Sequence, residues 1–176
     1  MRAWDLAVRV LHWALAASVA LGWVTTAWFV HWHQPVGWTA AVLVALRLVW
    51  GFAGGGRYAR FAQFVRGPAA TWRYFRLTLR GQESRYIGHN PLGAWMVLAL
   101  AASVLALALT GWLYTTDLLW GDATVEWFHR VLAWSIAALA ALHVAGVVFT
   151  SLRQRENLVA AMFDGRKRTA RDGDIV

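Results

Sequence analysis

Residues 126–148 read EWFHRVLAWSIAALAALHVAGVV, and their reading decides the fold. From Val131 to Leu152 the chain carries no charged residue, yet the stretch holds two histidines, His129 and His143. An α-helix rises ~1.5 Å per residue, so about 20 apolar residues cross a ~30 Å hydrocarbon core. This run is long enough to do so. Three more runs share its character: Val10–Val30, Val36–Phe52 with a single charge at Arg47, and Leu92–Tyr114. None alternates with period two, as the strands of a membrane barrel would.

Composition agrees. The 176 residues are 59% hydrophobic and 15% charged, with 13 Trp and no Cys. The first run leads into TTAWFVHWHQP without a small-x-small cleavage site, so it is expected to remain as a span and not to be removed as a signal peptide. The expected fold is all-α: an integral membrane four-helix bundle with a short interfacial helix in the cytoplasmic connection. One domain, 1–176, would hold spans at about 8–30, 34–52, 91–114 and 125–152, a cytoplasmic connection at 53–90 and a tail at 153–176. The absence of cysteine excludes disulfides, thiolate-held iron–sulfur clusters and haem attached through Cys-x-x-Cys-His.

A net charge of +8 could suggest nucleic acid, but its distribution argues otherwise. Every Lys and Arg except Arg47 and Arg130 lies before the first span, between the second and third, or after the last. With four spans these segments share one side. That is the positive-inside pattern, and it puts both termini in the cytoplasm of a multi-pass inner-membrane protein with lipid, not nucleic acid, as the partner of its charge. In the large inner connection, PAATWRYFRLTLRG predicts a short helix with Pro68 at its start and Gly81 after its end, its arginines near anionic headgroups. Asn90 and Pro91 predict the cap and first residue of the third span.

Fourteen residues are ~3.9 helical turns, so His143 points within about 40° of His129 and lies ~21 Å further along the helix. Intramembrane imidazoles are costly and face partners in the protein interior. His12, about one turn inside the first span, matches the depth of His143. His33, at the outer start of the second span, matches His129. Two histidine pairs at two depths are what two bis-histidine haems stacked across a membrane require. A single such histidine more often serves as a structural hydrogen-bonding group, but four that sort by depth are harder to read so. Zinc, the main rival, favours ligands gathered at one depth.

His33 is preferred to His31 because Gly37, one turn on, leaves room for a flat macrocycle; His31 reads as interfacial and His89 as a residue of the turn into the third span. Arg47 stands fourteen residues after His33, repeating the other interval. It suits a haem propionate or else snorkels to the inner headgroups. Arg9 and Arg130 are further propionate candidates.

WDLAVRVLHW, His33-x-x-x-Gly37, LRLVWGFAGGGRYARF, GHNPLGAWMV, FHRVLAW, LHVAGVV and RENLVAAMFDGRKR together resemble bacterial cytochrome b561 proteins, in the branch that includes the b-type cytochrome subunit of nickel–iron hydrogenases. The resemblance implies a four-helix bundle with two b haems, His12 and His143 matching the inner ligands and His33 and His129 the outer. It also implies electron exchange between an outer partner and the membrane quinone pool. Hydrogenase-type members carry a further span that this chain is not expected to have.

The leading expectation is therefore an electron-transfer subunit of the respiratory chain. The outer connections offer Asp117, Asp122 and Glu126 against Arg130, which favours a basic partner such as a periplasmic c-type cytochrome. A stand-alone superoxide:quinone oxidoreductase is the enzymatic alternative, although superoxide capture favours a basic surface. A non-redox membrane adaptor with structural histidines is the third.

Overall fold

The structure is a computed structural model and describes residues 1–175. The helices run in the order α1 (Leu6–Ala27), α2 (Val30–Val49), α3 (Phe61–Phe64), α4 (Pro68–Arg80), α5 (Pro91–Leu113), α6 (Ala123–Gln154) and α7 (Leu158–Asp164). A π-helical turn at Trp50–Gly54 prolongs α2, and a 3₁₀ turn follows at Arg57–Ala59. Among the described residues there are no strands, only isolated bridges pairing Arg2 with Arg166 and Tyr86 with Ile175. Four helices, α1, α2 with its π turn, α5 and α6, are long and apolar enough to cross a membrane. The fold is the expected all-helical one.

Local chemistry sets the helix ends. Asp5 Oδ1 accepts from the Val8 amide at 2.8 Å and so caps α1. Asn90 Oδ1 accepts from the Gly93 amide at 2.7 Å, with Pro91 as the first residue of α5. Asp122 Oδ1 takes both the Thr124 and Val125 amides at 2.9 Å, opening α6. In α4, Pro68 stands first and Gly81 closes the helix at φ 74°, a left-handed conformation that costs glycine little. The expected short helix of the connection is thus present with both of its predicted ends.

The chain divides into two compact units. One comprises Val10–Leu48 and Ala99–Ala141. Its centre is Ala40, Val44, Val104 and Ile136, with Leu15, Val19, Leu48, Ala101 and Leu107 packed against them. All four long helices contribute to that centre. Outward, large apolar residues stay uncovered, among them Trp28, Trp38, Leu109, Trp112, Trp127 and Trp134. Exposed apolar area on this scale suits lipid as the solvent.

The other unit comprises Met1–Arg9, Val49–Leu98 and Leu142–Val176. Ala3, Trp4, Val8, Tyr58, Ala59, Ile87 and Ala161 form its core. Polar bonds stitch its distant segments together. Asp5 Oδ2 accepts from the Trp50 indole and the Gly56 amide, each at 3.2 Å. The Ala3 and Trp4 amides donate to the Gly165 carbonyl at 2.9 and 3.2 Å. Gly165 has φ 78°, and a Cβ there would lie 2.6 Å from the Trp4 carbonyl oxygen, so this close approach demands glycine.

Lys167 is buried in this unit with its ammonium 5.3 Å from the Trp4 ring. Burial lowers its pKa from 10.5 to about 8, against the pull of Glu156 and helped by Arg85. The folded state therefore binds fewer protons than the unfolded chain between about pH 8 and 10.5, and stability rises with pH across that window. Lys167→Met is expected to stabilise the protein at pH 7 by about 1–3 kcal/mol, because relief of the desolvation outweighs the missing cation–π attraction to Trp4. Denaturant midpoints measured from pH 7 to 10.5 check this. The gain over wild type should shrink steadily with pH, and a constant difference would contradict the assignment.

Candidate functional site

In the unit built from Val10–Leu48 and Ala99–Ala141, two half-buried histidines face each other. The rings of His33, on α2, and His129, on α6, have centroids 6.2 Å apart and planes inclined at 73°. A threonine backs each ring. Thr25 Oγ1, on α1, lies 3.1 Å from His33 Nδ1, and Thr110 Oγ1, on α5, lies 3.0 Å from His129 Nδ1. Each of the four long helices thus contributes one residue.

A hydroxyl has one proton to give. Thr25 gives its proton to the Gly22 carbonyl at 3.0 Å, and Thr110 gives its own to the Leu107 carbonyl at 2.9 Å. Both hydroxyls can then only accept from Nδ1. His33 Nδ1 also lies 3.0 Å from the Gly22 carbonyl, itself only an acceptor. Donation from Nδ1 to these oxygens would leave the Nε2 lone pair of each ring free to bind a metal.

The spacing fits a haem. Two imidazoles bound to opposite faces of one ion through bonds of ~2 Å hold their ring centres about 6 Å apart. Zinc would need four ligands from the protein or solvent. Among the described residues no three His, Asp or Glu side chains gather where they could hold a metal. A centre with two protein ligands asks the cofactor to supply the rest, as a porphyrin does. Gly37, one turn after His33, would place a Cβ in open space with nothing within 4 Å. Gly111 does the reverse: its Cβ would stand 3.1 Å from His129 Cε1, so glycine there lets the ring sit close to α5.

A family model for prokaryotic cytochrome b561 matches residues 3–165. The chain belongs to that family. No curated protein and no solved structure matches it. As a prokaryotic cytochrome b561, it is a multi-pass bacterial membrane protein that binds haem b and transfers electrons.

The other residues singled out in the cytochrome's sequence are placed as follows. His12 is half-buried on α1, edge-on to Trp13 at 5.0 Å. His143 is half-buried on α6, in the other unit. Arg47 lies in the last turn of α2. Arg9 gives a guanidinium N–H to the Phe163 carbonyl, in the unit of the termini. Arg130 pairs with Glu126, one turn back on α6, at 2.9 Å. His31 is exposed beside Trp32. His89 packs between Trp4 and Phe64, at ring distances of 4.8 and 4.5 Å.

Thr25 and Thr110, which back the two facing rings, are residues that the sequence alone does not single out. A threonine in an apolar helix commonly bonds the carbonyl three or four residues back, which makes its presence unremarkable on its own. The signal available is the repeat of a threonine three residues after the carbonyl it bonds, near the C-terminal ends of α1 and α5.

Proposed function

We propose that this cytochrome carries two bis-histidine b haems and passes electrons across the membrane between an outer redox protein and the quinone pool. His33 and His129 hold the outer haem; His12 and His143 hold the inner. The observation that carries the reading is the facing pair of imidazoles 6.2 Å apart, each backed at Nδ1 by a threonine hydroxyl. The second pair rests on sequence: the interval from His129 to His143 and the position of His12 near the inner end of its span. Arg47, Arg9 and Arg130 are the cations available to haem propionates, and Gly37 leaves room beside the outer macrocycle.

Bound haem supplies a one-electron iron couple. The protein's own contribution is to present Nε2 from helices on opposite sides, to fix each ring's rotation through Nδ1, and to keep the centre among apolar side chains. The concentration of Arg and Lys at the termini and in the 53–90 connection supports an inner, cytoplasmic position for both ends. Quinone, soluble in the same bilayer as the spans, is the carrier within reach of the inner side.

For the outer partner, the charges favour a basic protein such as a c-type cytochrome over superoxide. Arg130, the lone basic residue of the outer segments, is paired with Glu126 and is poorly placed to draw in an anion. Asp122 is occupied as the cap of α6, which leaves Asp117 as the uncommitted acid. Purified protein is expected to show b-type bands that sharpen on dithionite reduction, with two haems per chain. A ratio of one, or no haem, contradicts the assignment. Superoxide consumption by the protein alone, with quinone reduced, would reverse the choice of donor.

A further inference from the structure

The backing of His33 and His129 is the same device built twice. On α1 the Gly22 carbonyl takes the Thr25 hydroxyl proton, three residues on, and both oxygens lie against His33 Nδ1. On α5 the Leu107 carbonyl takes the Thr110 proton, again three residues on, and the hydroxyl oxygen lies against His129 Nδ1. The first clamp spans the short link between α1 and α2; the second is supplied by α5 to α6. In each, a hydroxyl that gives its proton to the carbonyl presents its oxygen to Nδ1 as an acceptor.

A clamp of this kind does two things to an imidazole. It holds the ring against rotation about the Cβ–Cγ bond, since turning the ring would break its contacts at Nδ1. It also draws the Nδ1 proton outward and enriches Nε2 in electron density, as hydrogen bonding to the far nitrogen does for metal-bound histidines in general. A richer donor favours the more positive oxidation state of the metal it binds, and so lowers the reduction potential.

We propose that Thr25 and Thr110 are positioning residues of the outer haem, which hold its two ligands in the Nδ1–H tautomer and keep its potential low. This rests on the reading of His33 and His129 as ligands of one haem. Valine is the informative replacement because it keeps the branched shape and deletes the hydroxyl.

The test is a spectroscopic redox titration of the purified holoprotein: wild type, Thr25→Val, Thr110→Val, the double valine variant and the matching serine variants. Each valine is expected to raise the potential of one haem and leave the other unmoved. The double variant should shift that haem's reduction equilibrium about tenfold, ~59 mV for one electron. Serine, which restores the hydroxyl, should return the potential towards wild type. Valine variants with two haems and unchanged potentials overturn the proposal, as do serine variants displaced as far as valine. If the valine variants lose the haem, its retention by the serine variants supports the clamp, and equal loss in both overturns it. His33→Ala separates the two layers: a variant that keeps both haems defeats the ligand assignment, whereas unmoved potentials in the valine series defeat the clamp alone.

Discussion

His33→Ala and His129→Ala are each expected to remove the same haem, leaving one haem per chain where two are expected in the wild type. Each supplies one of the two facing rings, 6.2 Å apart, so either deletion opens the same ion to one side. The double variant should lose no more than either single one, because residues that act as a unit are not additive. His12→Ala and His143→Ala should remove the other haem and spare the first. Haem content per chain, together with reduced-minus-oxidised spectra of the remaining centre, provides the measurement. If His33→Ala and His129→Ala abolish different haems, the facing pair is not one centre. Helix content should survive in all four variants, since the spans are set by their apolar length and the packing of Ala40, Val44, Val104 and Ile136.

What the sequence could show was set by the range of each interaction. The four spans are properties of contiguous residues, and uncharged length alone reveals them. The caps at Asn90 and Pro91 and the end of α4 at Gly81 are equally local, and were legible for that reason. Two local features of the outer connection were readable in principle but were counted as free charge. Asp122 stands directly before α6 as its cap, and Glu126 and Arg130 are one turn apart on it.

The facing of His33 and His129 was accessible only because depth along a span follows from residue number. No comparable arithmetic reaches the threonines. Thr110 meets His129 across two helices, and which face of α5 turns towards α6 depends on packing that one sequence does not encode in any short interval. Likewise, GFAGGG reads as glycine-rich exit turns, whereas the chain first makes a π turn at Trp50–Gly54, held by Asp5 from the other end of the unit's sequence.

The longest-range feature of all carries the second large expectation. Arg85 is nearly buried and joins three segments. Its guanidinium grips Glu156 through Nη2 at 2.8 and 2.9 Å and through Nε at 3.2 Å, reaches Asp174 at 2.6 Å, and donates to the Arg168 carbonyl at 3.0 Å. Glu156 in turn accepts from the Arg168 amide at 2.6 Å, and the Ile175 amide donates to the Arg85 carbonyl at 2.8 Å. Arg85→Met is therefore expected to cost about 3–5 kcal/mol, because it strands a buried carboxylate pair without its cation.

Hydrogen exchange locates the damage: the amides of Arg168, Arg171 and Ile175 should lose protection first, since the tail they belong to is anchored through this arginine or its carboxylates. Arg85→Lys keeps the charge but not the fork that spans both acids, so it should recover only part of the loss. Acid should act in the same direction as the mutation. Burial would raise the Glu156 carboxyl, but the Arg168 amide and Arg85 outweigh it and hold its pKa below the usual 4.5. Its contribution to stability is thus present above that value and is lost as pH falls through the lower folded one. Wild type should therefore shed stability on acidification more steeply than Arg85→Met does. A variant with the wild-type midpoint and tail protection would show that the network stabilises nothing. Throughout the series the spectrum of the haem assigned to His33 and His129 should stay constant, because every residue of that centre, from Gly22 to His129, belongs to the other unit.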